Sequence, residues 1–160
     1  MATRTEVIDG LESLIRESHR IAGALTPGQW SLTVDQDGWK GTEMLAHVAG
    51  VGTLIIPFLQ ALTSAPAGAD AMGNTDINAM NAGLVSARAG KSPADLAAEI
   101  DTAYSAVIEH LRGQPDEFFE QAVTMRGHKD IGAGDMLMRM TILHGLAHVY
   151  SAYSAVFFAA

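Results

Sequence analysis

The sequence predicts an all-α fold, a four-helix bundle with one helix broken. Three observations predict it. Apolar residues recur at helical spacing in four long segments. Helix start and stop signals bound those segments. No run of β-branched or aromatic residues alternates convincingly with polar ones, as a half-buried strand requires. The whole chain, 1–160, reads as one bundle domain, long enough to bury a good core.

The first helix carries Val7, Leu11, Leu14, Ile15, Ala22 and Leu25 on one side, with Glu6, Asp9, Glu12, Arg16 and Glu17 on the other. Thr26-Pro27-Gly28 ends it. Residues 28–40 read as a loop that holds Trp30 and Trp39, with a turn signal in Asp35-Gln36-Asp37-Gly38. The second helix spans about 41–62, and Pro57 inside it should kink it or end it early. Residues 63–74 form a small-residue connection.

The third helix starts near Thr75, with Ile77, Met80, Asn81, Leu84 and Val85 as its inner stripe, and Ala89-Gly90-Lys91 breaks it. Ser92-Pro93-Ala94-Asp95 restarts it: Ser as N-cap, Pro at the first helical position, Asp facing the exposed N–H groups. The continuation buries Leu96, Ile100, Ala103, Tyr104, Val107, Ile108 and Leu111, and Gly113-Gln114-Pro115 stops it. Residues 115–133 hold a short acidic segment and a stretch without a clear period. The final helix starts at Asp135 and runs to about Phe158.

Composition narrows the function. The chain has no Cys, which excludes disulfides, thiolate metal sites and a Cys nucleophile. A net charge of −8 with ten scattered basic residues argues against nucleic-acid binding. The polar, acidic N-terminal stretch is no signal peptide, and a cytoplasmic location is the expectation. Segments 44–62 and 141–160 have roughly the length of a membrane span. Both carry His, the first also contains Pro57 and Gln60, and neither is flanked by a basic cluster. They read instead as buried helices of a soluble bundle, with no membrane partner.

Those two helices carry the residues that point to chemistry. His144 and His148 are four apart, so on a helix their rings stack on one face. Two such imidazoles reach one ion at about 2.0–2.1 Å, and His47, from a facing helix, would make a three-nitrogen set. Three ligands with an open position are the pattern of a catalytic metal. Gly50 beyond His47, and Ser151 and Ala152 beyond His148, either leave room beside an ion or let helices pack closely. Glu43, one turn before His47, is a candidate partner for its second nitrogen, but fits better as a favourable charge in a first helical turn. His19 and His110 read as surface residues, His128 as a candidate at a pocket mouth, and Tyr150 and Tyr153 as packing residues. No phosphate-binding glycine motif, no G-x-S-x-G and no HExxH is present.

The ordered set of pieces resembles the DinB/YfiT-like superfamily. It comprises the stretch from Trp39 through Lys40-Gly41-Thr42-Glu43 to Leu45-Ala46-His47, then Ile77-Asn78-Ala79, then Gly134-Asp135-Met136-Leu137 followed by His144 and His148. The resemblance covers essentially the whole chain. It implies a four-helix bundle that binds a divalent metal, zinc or nickel, through His47, His144 and His148, and it implies frequent homodimers. It further implies thiol-dependent chemistry with mycothiol, bacillithiol or glutathione, transferring the thiol to an electrophilic small molecule or isomerising that molecule. The absence of Cys agrees with a thiol supplied from outside. Gly145 stands where the superfamily often has a polar or acidic residue, and Lys40 and Gly132 stand where Ser or Thr caps are usual. Two rivals stand beside this reading. One is a hydrolase using metal-bound water, with Glu43 or His128 as candidate base. The other is a non-catalytic metal-binding or stress-related bundle.

Overall fold

Capping boxes open two of the bundle's long helices. In α1, Arg4–Ala24, the Thr3 hydroxyl accepts from the Glu6 amide and the Glu6 carboxylate accepts from the Thr3 amide. In α5, Pro93–Arg112, Ser92 and Asp95 repeat the exchange, with Pro93 at the first helical position as expected. The computed structural model describes residues 1–34, 38–64, 69–70, 72–125 and 128–158. Three residues of the expected Asp35–Gly38 turn, 35–37, lie outside them.

Between these helices lie α2, Pro27–Trp30; α3, Gly41–Ser64; and α4, Ile77–Ser86. The chain continues through α6, Asp116–Glu120, and a hairpin of β1, Ala122–Met125, and β2, His128–Gly132. The last helical stretch is α7, Ala133–Leu137, a π-helical segment, Met138–Leu143, and α8, His144–Phe158. α1 packs on α5, α5 on α3, α3 on α8 and α8 on α1, which closes the four-helix ring; α4 lies on α3. Val7, Leu11, Leu14 and Ile21 meet the buried face of α5 in a core continuous with α3 and the last helix.

Two expectations are corrected, and of the two outcomes expected at Pro57 one is excluded. Thr26-Pro27-Gly28 does not only end the first helix: Thr26 caps the short α2, whose last residue, Trp30, is buried rather than held in a loop. Pro57 does not end α3, which continues to Ser64 with the proline exposed to solvent. The stretch without a clear period contains the antiparallel hairpin, paired Ala122 with Gly132, Val123 with Ile131 and Met125 with His128, with an irregularity between Val123 and Met125. Only Val123 and Met125 of β1 face inward, too short an alternation to announce a strand.

The broken helix divides as expected. Asp76 caps α4, and Gly90, at φ +80, turns the chain into Ser92. α4 has no fully buried residue; Ile77, Met80, Leu84 and Val85 are half-buried. It is held by Leu84 against Gly50, and by Arg88, whose guanidinium pairs with Glu99 of α5 at 2.6 Å. α3 is long and apolar enough to cross a membrane by length and composition, but 56% of that span is buried inside the fold.

The π segment explains the register of the last helix. Buried positions step by five across it, from Met136 to Thr141 and from Leu137 to Ile142. They then return to steps of three and four at Gly145, Val149 and Ala152. Such i→i+5 turns are rare and often stand at functional sites.

Candidate metal centre

α3 and α8 run antiparallel in contact. Gly41, near the start of α3, lies so close to Ala152 that a Cβ there would be 3.2 Å from the alanine methyl. Six residues on, His47 meets the pair on α8: its ring centroid lies 4.9 Å from that of His148 and 5.7 Å from that of His144. The two rings of the pair are 4.3 Å apart, with their Nε2 atoms at 3.0 Å. One potential ligand atom from each of the three histidines falls within 4.8 Å of the others. Nitrogens about 2.0–2.1 Å from one ion stand about 3–4 Å apart, so small ring movements would bring the three onto one cation.

The three histidines differ in exposure. His47 is buried at 3%, His148 is half-buried and His144 is exposed, so the cluster opens to solvent on the His144 side. Burial, with the charge of the neighbouring His148 and His144 rings, pushes the His47 imidazole from 6.5 down to about 4. Burial also lowers His144. His47 and His144 are therefore held towards the neutral form, with lone pairs available. His47 Nδ1 is buried with no hydrogen-bond partner, an arrangement proteins rarely tolerate. Three clustered imidazoles and an orphaned buried nitrogen fit a divalent cation.

Trp39 forms one wall. Its ring stands edge-on to His47 at 5.5 Å, held by the returning loop in which the Val34 amide donates to the Trp39 carbonyl at 2.8 Å. Glu43 is occupied elsewhere: its carboxylate accepts from the Lys40 amide at 2.8 Å and so caps α3, the role favoured on sequence grounds. His19 pairs with Asp101 at 3.3 Å, His110 contacts Gln114, and exposed His128 begins β2; none of them belongs to the cluster. Tyr150 donates to Glu17 at 2.6 Å, and Arg20 lies over the Tyr153 ring at 5.6 Å, so both tyrosines serve packing and surface contacts.

The small residues near the histidines are mostly packing sites. A Cβ on Gly50 would lie 2.8 Å from Leu84 Cβ, and one on Gly145 would lie 3.0 Å from a Leu14 methyl. The second distance explains why Gly145 follows His144: α1 seats against that backbone. Sequence reading missed the π segment and the edge-on role of Trp39. It also missed a groove of about 510 Å³ beside the pair, which Thr33, Val34, Ala147, Tyr150 and Ser151 help to line but none of the three histidines does.

A sequence profile described as the Mycothiol maleylpyruvate isomerase N-terminal domain matches residues 11–147. The chain belongs to this family. Its fold is that of the DinB/YfiT-like superfamily, as the solved structures similar to this member of the mycothiol maleylpyruvate isomerase N-terminal domain family show. YfiT from Bacillus subtilis, described as a probable metal-dependent hydrolase with an unusual four-helix bundle topology, superposes with a TM-score of 0.67 at 16% identity, covering 95% of this chain and 85% of that one. The colibactin self-resistance protein ClbS, solved with a double-stranded DNA, gives a TM-score of 0.72 at 9% identity, covering 97% and 96%. An uncharacterised protein from Clostridium difficile 630 gives 0.73 at 10% identity, covering 96% and 95%. No curated protein matches the chain in sequence.

Proposed function

We infer that His47, His144 and His148 hold a divalent cation, zinc or nickel, and that the protein is a metal-dependent enzyme acting on a small molecule with a low-molecular-weight thiol. The observation that carries this reading is the convergence of three imidazoles from two helices, one of them buried with an unpartnered ring nitrogen. When bound, the cation supplies Lewis acidity, which lowers the pKa of a thiol or water at an open position. The chain's own residues do the rest. Buried His47 stays neutral and anchors the site, the edge of Trp39 limits how its ring can turn, and the exposed side of His144 leaves the approach open. The family match supports a thiol of the mycothiol class, and the absence of Cys leaves that role to an external molecule. A thiol S-transferase or isomerase reaction on an electrophile follows as the reaction class. The negative net charge favours a small-molecule substrate over a nucleic acid.

The description of YfiT favours a second reading, hydrolysis by activated water. That reaction needs a general base near the cluster. Glu43 is committed to its cap and His128 lies outside the cluster, which supports the thiol reading.

Elemental analysis of the untagged protein beside His47→Ala and His144→Ala tests the site. About one zinc or nickel per chain is expected, with occupancy lost in both variants; full occupancy in either variant overturns the ligand set. Mycothiol and bacillithiol with model electrophiles, set against ester and amide substrates, then separate the two reactions.

A further inference from the structure

Among the described residues, five large apolar side chains are exposed: Met1, Leu54, Met140, Leu143 and Tyr150. Four of them sit on the stretches that carry the histidines, and Tyr150, on α8, is already bonded to Glu17. Leu54 follows His47 by seven residues, two turns along the same face of α3. Met140 precedes His144 by four residues, about one turn, and so lies below it on the same side. The antiparallel register joins the two. Gly41 lies beside Ala152, and His47 beside His144 and His148, so positions further along α3 oppose positions earlier in the last helix. Seven residues beyond His47 is the level of Met140. Leu143, 54% exposed, stands next to His144 at the outer edge. Two half-buried side chains of α3, Val51 and Phe58, continue the apolar face on either side of Leu54.

We propose that Leu54 and Met140, with Leu143 at the rim, bind the apolar body of the small molecule whose reactive head reaches the three-histidine cluster. The inference rests on the metal-site reading and deepens it by naming the substrate class: a compound with a polar, metal-seeking or electrophilic head and a hydrocarbon portion up to about 10 Å long, the rise over seven helical residues. Two observations select this occupant. Leu54 and Met140 lie one to two helical turns from His47 and His144, on the sides of α3 and the last helix that carry those histidines, so a tail leaving the cluster in that direction would meet them. Three partly exposed side chains also present only a fraction of the roughly 800 Å² that each partner of a stable protein complex buries, so a small molecule suits the strip better than a second copy. Methionine, unbranched and adaptable, suits a face that must close on a ligand.

The test uses the full, zinc-loaded chain and a series of straight-chain hydroxamates, acetohydroxamate to octanohydroxamate, titrated by calorimetry. Affinity should rise roughly three- to fourfold per added methylene while the tail stays on the strip. In the double variant Leu54→Asn with Met140→Gln, octanohydroxamate should lose at least tenfold in affinity. Acetohydroxamate affinity, zinc per chain and the melting temperature should stay unchanged. Met140→Gln alone, at a surface position that a folded chain tolerates, should lose less in the same direction. A flat chain-length series with zinc bound, or a steep one that survives the substitutions, overturns the proposal alone. So does a variant that only dissociates a dimer, which would assign the strip to a second copy. Failure to bind both zinc and acetohydroxamate overturns the metal-site reading and this inference with it.

Discussion

The α1–α5 pair and the α3–α8 pair use their buried polar groups differently. α1 and α5 are amphipathic, opened by complete capping boxes, and their buried hydroxyls are spent at once: Ser18 donates to the Leu14 carbonyl at 2.8 Å, and Tyr104 to the Val48 carbonyl at 3.2 Å. α3 and α8 are apolar almost all round, and at their contact His47 keeps a buried ring nitrogen without a partner. The difference teaches where stability and chemistry reside. One pair meets its polar groups with caps and intrachain hydrogen bonds, and the other holds a polar group that an intrachain hydrogen bond does not satisfy.

Three substitutions or conditions test that division, beginning with the largest effect. Leu11→Ala, at a fully buried position of α1, should destabilise the fold by about 2–5 kcal/mol in denaturant titration. The folded fraction should keep its full metal content, and loss of metal from a still-folded variant would show that the two pairs are not separable. Next comes pH, in metal-stripped protein. An unfolded chain takes up a proton on His47 near 6.5, whereas the folded chain resists it until about 4. The contribution of His47 is therefore complete above 6.5 and is lost as pH falls towards 4, by up to about 3 kcal/mol. Melting curves across that window should slope less steeply in His47→Leu, and parallel slopes would refute the assignment. The smallest effect is Ser92→Ala, which removes the α5 cap at a cost of about 1 kcal/mol without touching the histidines. Any change in metal affinity there would sharpen the comparison by exposing coupling through α5.

The fold was legible wherever a local signal matched the tertiary outcome. The Ser92-Pro93-Ala94-Asp95 start and the Leu96–Leu111 stripe needed no knowledge of neighbours, since caps and periodicity act within a few residues. The spacing of His144 and His148 showed that they share a face, while His47 joined them only through an antiparallel contact that spacing cannot encode. Trp30 hid because a Thr-Pro stop is also a Thr-Pro start. The hairpin hid because one inward pair, Val123 and Met125, carries almost no period. Exposure at Leu54 and Met140 was invisible for a different reason: in segments apolar throughout, nothing in composition tells an inner face from an outer one.

The π segment has a further consequence for how this helix can vary. A residue of α-helix turns the chain by about 100°. The extra residue per turn in Met138–Leu143 therefore sets the stretch before it and the stretch after it in different rotational phases. Upstream, the phase is fixed by the seat of Gly134 against the Ala2 backbone, where no side chain fits. Downstream, it is fixed by Gly145 on Leu14 and by the histidines on α3. A one-residue deletion between those anchors would leave the helix continuous and its composition intact, yet one anchor would have to give. The geometry of the histidine pair thus depends on a count of residues as much as on their identity.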